Sequence, residues 1–243
     1  KKVFACSFAM FSAGRAWERV RNSVAYPRLN VRVVGSHGGI SVGEDGPTHQ
    51  AIEDMAVMRA IPNMLVINPA DGIETRAAVK ALLEYDGPAY LRLIRSPSEV
   101  LHEEDYEFHL FKGDPLVSGT DLTIFCTGLM VQESLLARRI LIERGISASV
   151  VNIHTIKPID EDLILRAAQE TGLIVTVEDH NIIGGLGSAV AEVLTMKYPK
   201  RVLRLGVPDI FASSGKADEL LRSFDLSAER SEEHTSELQS LLI

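Results

Sequence analysis

Cysteine, basic residues and long apolar runs are all in short supply in this chain. Its two cysteines, Cys6 and Cys126, have no Cys-x-x-Cys spacing, so neither a disulfide framework nor a zinc motif is indicated, and a reducing cytoplasm suits the composition. No apolar stretch approaches the length of a membrane span, and the opening residues read as a strand rather than a signal peptide. Lysine and arginine number 25 against 33 aspartates and glutamates, a formal net charge of −8. Nucleic acids and anionic membranes are recognised through clustered basic surface, which this balance does not supply, so the expected partner is a small molecule or another protein. What is present is 46% hydrophobic residues over 243 positions. That suffices for one large domain or two small ones, and the order of patterns favours two.

Apolar strand-like runs alternate with helical spacing. Val3-Phe4-Ala5-Cys6 reads as a strand, followed by an amphipathic stretch from Ala13 to Asn22 and a second strand from Val31 to Val34. A glycine-rich loop, Gly35 to Pro47, leads into a helix expected over Gln50 to Arg59 with Ile52, Met55 and Ala56 turned inward. A strand at Met64 to Ile67, a helix from Ile73 to Glu84 and a strand from Ala89 to Ile94 complete a first unit, residues 1–100. Open parallel sheets bind ligands beyond the carboxyl ends of their strands, which places the expected site at Gly35–Pro47.

Over residues 101–118 the alternation lapses into an acidic patch, Glu103-Glu104-Asp105, and a breaker run, Lys112-Gly113-Asp114-Pro115. This composition predicts a connector lying outside both sheets. The pattern resumes over 119–228, with strands at Leu122–Cys126, Ala148–Asn152, Leu173–Val177 and Val202–Leu205 between helices near Val131–Glu143, Glu161–Glu170 and Ser188–Met196. The expected fold class is α/β, two domains with mainly parallel sheets. Gly184-Gly185-Leu186-Gly187 ahead of the last of these helices can cradle a phosphate, although a tight strand-to-helix turn is the simpler account. Glu178-Asp179-His180 is no metal cluster, because neighbours on an extended segment point to opposite faces; a loop or an interface is expected there. His154 and His180 share no metal-binding spacing, and no metal ligand is assigned.

The densest chemistry is Gly43-Glu44-Asp45-Gly46-Pro47-Thr48-His49-Gln50 followed by Glu53, with Ser36-His37-Gly38-Gly39 before it and Asn68-Pro69-Ala70-Asp71-Gly72 after it. Taken together these runs resemble the transketolase signature. The resemblance extends to the second unit, which is similar to the transketolase C-terminal domain. It implies a thiamine-diphosphate-dependent enzyme that moves a two-carbon ketol unit from a ketose phosphate to an aldose phosphate, in a dimeric assembly.

On spacing alone Phe8 and Phe11, beside Ser12-Ala13-Gly14, are core residues three apart on a helix. The resemblance instead gives them to the cofactor, with Phe8 packing on the aminopyrimidine ring and Phe11 lining the same pocket; the family's third aromatic falls on Ala5. Singly, an exposed loop histidine or arginine is most often just solvated. The resemblance implies that His37, Asp45 and His49 are catalytic and contact the sugar: His37 at its phosphate, Asp45 at a hydroxyl near the reacting carbon, His49 near the transferred unit. Arg95 matches the arginine that pairs with the phosphate. Glu44 is expected to bond amides of its turn, and Glu53 to face solvent.

The family's glutamate that contacts the aminopyrimidine belongs to a strand and helix expected upstream of Lys1. The diphosphate and its divalent metal, Mg or Ca, are expected on a diphosphate-binding domain or N-terminal subunit, since no Gly-Asp-Gly run followed by asparagine occurs here. The fragment alone is therefore expected to be inactive, like the smaller subunit of a split transketolase. At the other end, Arg230-Ser231-Glu232-Glu233-His234-Thr235-Ser236-Glu237-Leu238-Gln239-Ser240 resembles the translation of a sequencing adapter, so 229–243 is read as an artefactual tail that packs on nothing. Rival readings are a 1-deoxy-D-xylulose-5-phosphate synthase, a 2-oxoacid dehydrogenase β subunit, and a non-catalytic module of the same fold used for assembly or regulation.

Overall fold

The computed structural model describes residues 1–228; the tail expected at 229–243 lies outside the described residues. Two five-stranded sheets are built in succession. The first uses β1 (Val3–Phe8), β2 (Val31–Ser36), β3 (Leu65–Ile67), β4 (Ala89–Arg92) and β8 (Thr155–Lys157) in the order β1-β2-β4-β3-β8. The second uses β5 (Asp114–Val117), β6 (Leu122–Cys126), β7 (Ala148–Asn152), β9 (Leu173–Asn181) and β10 (Val202–Val207) in the order β10-β9-β6-β7-β5. In each sheet four strands are parallel, and the edge strands β8 and β5 run antiparallel. The buried strands are β-branched, apolar runs such as Leu122–Cys126, all five residues of which are inside. This is the expected α/β class.

Helices pack on the sheets where amphipathic spacing predicts them. α3 (Gly72–Glu84) starts at Asp71, whose carboxylate accepts the N–H of Glu74 at 2.7 Å, and α5 (Glu161–Glu170) starts at Asp160, which accepts that of Leu163. α4 (Met130–Glu143) and α6 (Leu186–Lys197) follow β6 and β9. Between β1 and β2 the expected helix is broken into π-helical turns at Met10–Arg15 and Val20–Ala25 around a short α1 (Trp17–Arg19). α2 begins only at Asp54 and ends at Arg59. Its expected first turn is replaced by a bridge from Ala51 to Gly38 and a bend at Ile52 and Glu53.

Two expectations are corrected. The connector does not stay outside the sheets: β5 lies within 101–118 and pairs with β7. Pro115 is tolerated there because an edge strand can spare one N–H. The two units also interlock, since β8 leaves the second half of the sequence to pair with β3 of the first sheet. One apolar core runs through both, with Met55, Met58, Val66 and Tyr90 packed in the same cluster as Phe125, Ile153, Ile164 and Val190. The connector is fastened by Asp71, whose Oδ2 accepts the N–H groups of Leu101 and His102 at 2.7 and 2.9 Å. The His102 ring lies 3.0 Å from Asp71 and 3.3 Å from Asp114 at its two nitrogens.

Candidate functional site

β1 and β2 end side by side, and their carboxyl ends carry the first half of the site. Phe8 closes β1, Phe11 follows in the next helical turn, and His37 comes immediately after β2. The His37 ring lies on Phe8 with centroids 3.9 Å apart and planes 14° from parallel. Phe11 is stacked 6.1 Å from Phe8, and His49 approaches both rings edge-on, at 5.5 Å from Phe11 and 6.2 Å from Phe8. Four rings from three segments therefore converge, as edge-to-face and offset-stacked geometry allows. Phe11 remains 43% exposed, and a groove of about 460 Å³ runs past it between β1 and β2 and the helical turns that follow β1, lined by Ala5, Ser7, Val31, Val33 and Val20 among others. The exposed Phe11 ring is the apolar surface a flat heteroaromatic can reach, while His37 covers one face of Phe8.

The loop from His37 to Gln50 supplies the polar half. His37 takes the left-handed conformation at φ 59°, Gly39 follows at φ 84°, and two short 3-10 turns between Ile40 and Asp45 meet at a kink at Gly43, φ 82°. The His37 Nδ1 is 3.0 Å from the Ser36 hydroxyl, and the His49 Nδ1 is 3.0 Å from that of Thr48. Burial holds the His37 pKa below its ordinary value, Arg95 pushes it further down and Asp45 pulls it back up. At neutral pH His37 is accordingly an uncharged imidazole, able to give or take one hydrogen bond. Arg95 donates from Nη1 to the Val42 carbonyl at 2.7 Å and lies 3.6 Å from the carboxylates of both Glu44 and Asp45. Glu44 thus faces Arg95 rather than the amides of its own turn. Glu53 is exposed and accepts the Ile52 N–H at 2.9 Å.

All six expected residues fall in this region. Phe8, Phe11, His37 and His49 form the ring cluster, Asp45 and Arg95 form a charged pair beside it, and His37 senses both members of that pair.

Beneath the loop is a buried polar layer that sequence patterns did not reveal. Arg92, on β4, donates from Nε to Asp54 at 2.9 Å and from Nη2 to the Asp179 carbonyl at 2.9 Å, and Tyr90 donates its hydroxyl to Asp54 at 2.7 Å. Asp179 and its neighbours, set aside as a loop or an interface, end the buried strand β9 at the junction of the two units. Glu178 accepts the N–H groups of Leu186 and Gly187 at 2.6 and 2.8 Å. The glycine turn that could cradle a phosphate therefore already holds an internal carboxylate, whose pKa burial raises to about 7. His180 is buried and held low, at about 4, chiefly by burial. Among the described residues no group of three or more His, Cys, Asp and Glu is arranged to hold a metal. One signal could have found this layer: an arginine in an apolar, buried strand needs a buried acceptor.

Comparison with known proteins decides the family. Residues 1–99 match the family model "Transketolase, pyrimidine binding domain" and residues 112–230 match "Transketolase, C-terminal domain". The chain belongs to the transketolase family. A "Putative transketolase C-terminal section" of Methanocaldococcus jannaschii is 53% identical over 232 residues, covering 94% of this chain and 72% of that protein. A 6-deoxy-6-sulfo-D-fructose transketolase subunit of a Clostridium species is 46% identical, over 94% of this chain and 71% of its own length. The solved structure described as "Split gene transketolase, inactive beta4 tetramer" superposes with a TM-score of 0.90 at 44% identity, covering 98% of this chain and 76% of that one. The resemblance is wider than split transketolases: the 1-deoxy-D-xylulose-5-phosphate synthase of Syntrophotalea carbinolica is 39% identical over 88% of this chain, which spans 34% of that enzyme.

Proposed function

We propose that this chain works as the C-terminal portion of a split transketolase, joining a diphosphate-binding subunit to transfer a two-carbon ketol unit from a ketose phosphate to an aldose phosphate. The observation that carries the reading is the convergence of Phe8, Phe11, His37 and His49 beside Asp45 and Arg95. An aromatic platform suits a planar heterocycle, and the histidines and the aspartate suit a polyhydroxylated substrate. When bound, thiamine diphosphate supplies a nucleophilic carbon and an electron sink for cleaving the bond next to a ketose carbonyl. Phe8 and Phe11 are the residues that would hold its aminopyrimidine by stacking. Its diphosphate and a divalent cation, Mg or Ca, belong to the partner subunit in this reading.

This chain's own residues orient the sugar. His37 and His49 each engage Nδ1 with a neighbouring hydroxyl, which directs Nε2 to a ligand as a donor or acceptor. Asp45 accepts a hydrogen bond from a substrate hydroxyl, and that contact selects stereochemistry. Arg95 binds the remote phosphate. Its two ion pairs are long and partly solvated, so releasing the guanidinium to a phosphate requires little.

The reading is tested by mixing the chain with a diphosphate-binding subunit from the same source, and assaying ketol transfer between sugar phosphates with and without thiamine diphosphate. Cofactor-dependent transfer supports it. Condensation of pyruvate with glyceraldehyde 3-phosphate in place of transfer would assign the synthase chemistry instead, and inertness toward both would favour a non-catalytic module.

A further inference from the structure

The loop that presents His37, Asp45 and His49 belongs to the first sheet, yet much of its support comes from the second. Asp179, at the end of β9, is 2% exposed and reaches across the junction. Its Oδ1 accepts the N–H of Ile40 at 2.8 Å and its Oδ2 accepts that of Ser41 at 3.3 Å, 139 and 138 residues away in sequence. These two amides open the first of the two 3-10 turns that make up Ile40–Asp45, where the opening N–H groups of a helical turn lack partners within it. Gly39 is tailored to the same carboxylate. It sits at φ 84°, and a Cβ there would lie 2.1 Å from the Asp179 oxygen. Farther along the loop, Gln50 donates to the Ser213 carbonyl at 3.1 Å, and Gly43 and Gly46 pack against Gly215 and Ser214. Arg92 locks Asp179 from behind through its carbonyl at 2.9 Å.

We propose that Asp179 is a positioning residue: its buried carboxylate, carried by the C-terminal domain, fixes the start of the loop 39–45 and so the placement of His37 and Asp45 over the substrate. The proposal rests on the transketolase reading and gives the second domain a working part in that site. Asp179 is too buried to meet substrate, so it acts through the loop. A buried carboxyl accepting two amide N–H groups forms a two-point clamp, and reacting groups displaced by about 1 Å lose much of their effect.

The test uses the full chain and its assembly with the diphosphate-binding subunit. In the chain alone, Asp179→Ala speeds hydrogen exchange of the Ile40 and Ser41 amides by about tenfold or more, as expected for losing a hydrogen bond to a charged group, and leaves β6 and β7 unchanged. Asp179→Asn keeps one acceptor oxygen and gives an intermediate effect. In the assembly kcat/KM for ketose phosphates falls in the same order, Asp above Asn above Ala, with Asp179→Ala reduced by about tenfold. Unchanged exchange at 40 and 41, acceleration spread evenly over both sheets, or altered exchange without loss of kcat/KM would each overturn the proposal. Should Asp179→Ala not fold, Asp179→Asn is read by the same criteria. A wild-type assembly with no ketol transfer would defeat the functional reading, while the exchange measurement still decides whether Asp179 holds the loop.

Discussion

Arg92 and Asp54 form an ion pair at 2.9 Å with neither side chain reaching solvent, directly under the loop that carries the candidate site. Tyr90 donates to the same Asp54 oxygen, Oδ2. A buried charge that loses its partner keeps its full desolvation penalty, so Asp54→Ala is expected to destabilise the chain by about 3–5 kcal/mol. Replacing both, as Asp54→Ala with Arg92→Met, should cost less than the sum of the two single changes, because each single change loses the same ion pair, although Arg92 also offsets the buried Asp179. Chemical denaturation of the two single variants and the double variant measures the difference. Strictly additive losses would show that the pair is not the unit that matters.

His102 gives the chain a defined pH dependence. Its nitrogens face Asp71 and Asp114, and its pKa rises from 6.5 to about 9 even though burial opposes the charge. The folded-state value lies above the unfolded one, so its contribution is fully present below pH 6.5 and lost as pH rises through about 9. The stability gap between wild type and His102→Gln should therefore be wide at pH 6 and narrow by pH 10. Glu74, raised to about 7 mainly by burial, interacts with the His102 charge, so the comparison is repeated in a Glu74→Gln background to isolate the His102 contribution. A gap that does not vary between these pH values would mean that His102 is not the titrating group.

The two thiols should differ sharply in reactivity. Cys6 lies exposed on β1, whereas Cys126 is buried with its pKa pushed up to about 12 by desolvation. The thiolate is the reacting form, so a disulfide reagent at pH 8 should modify one thiol in the folded chain and the second only on unfolding. Two fast equivalents from the native chain, or modification of Cys126 before Cys6 by peptide mapping, would contradict this placement.

Much of the architecture was legible because strands such as Leu122–Cys126 and Ala148–Asn152 are short, mostly apolar runs between helices of amphipathic spacing. β8 was not, since three residues, Thr155-Ile156-Lys157, acquire strand identity only by pairing with β3 of the other unit. β5 was hidden by Asp114-Pro115, which reads as a break wherever edge position is unknown. In the site, motif density located His37, Asp45 and His49, and the family resemblance added Phe8, Phe11 and Arg95. Asp179 stayed invisible because its meaning lies in two amides about 140 residues upstream, a contact that no local pattern encodes. His102 was hidden in a polar connector for the same reason.

Asp45 and Arg95, paired at 3.6 Å, should fail in different ways within the active assembly. Asp45 is proposed at the reacting end of the sugar, so Asp45→Ala should lower kcat and relax preference between donor stereoisomers, as expected when a contact made in the transition state is removed. Arg95 is proposed at the phosphate, remote from the bond being broken, where its contact would contribute equally to ground and transition states. Arg95→Ala should raise KM for phosphorylated donors about tenfold or more, with kcat little changed and short unphosphorylated donors spared. Asp45→Ala also frees Arg95 from one carboxylate, so its KM for phosphorylated donors should not rise. Steady-state kinetics with matched phosphorylated and unphosphorylated donors separates the two roles. Equal losses on both donor classes for Arg95→Ala would remove Arg95 from the phosphate subsite, and unchanged stereochemical preference in Asp45→Ala would remove Asp45 from the hydroxyl-reading position.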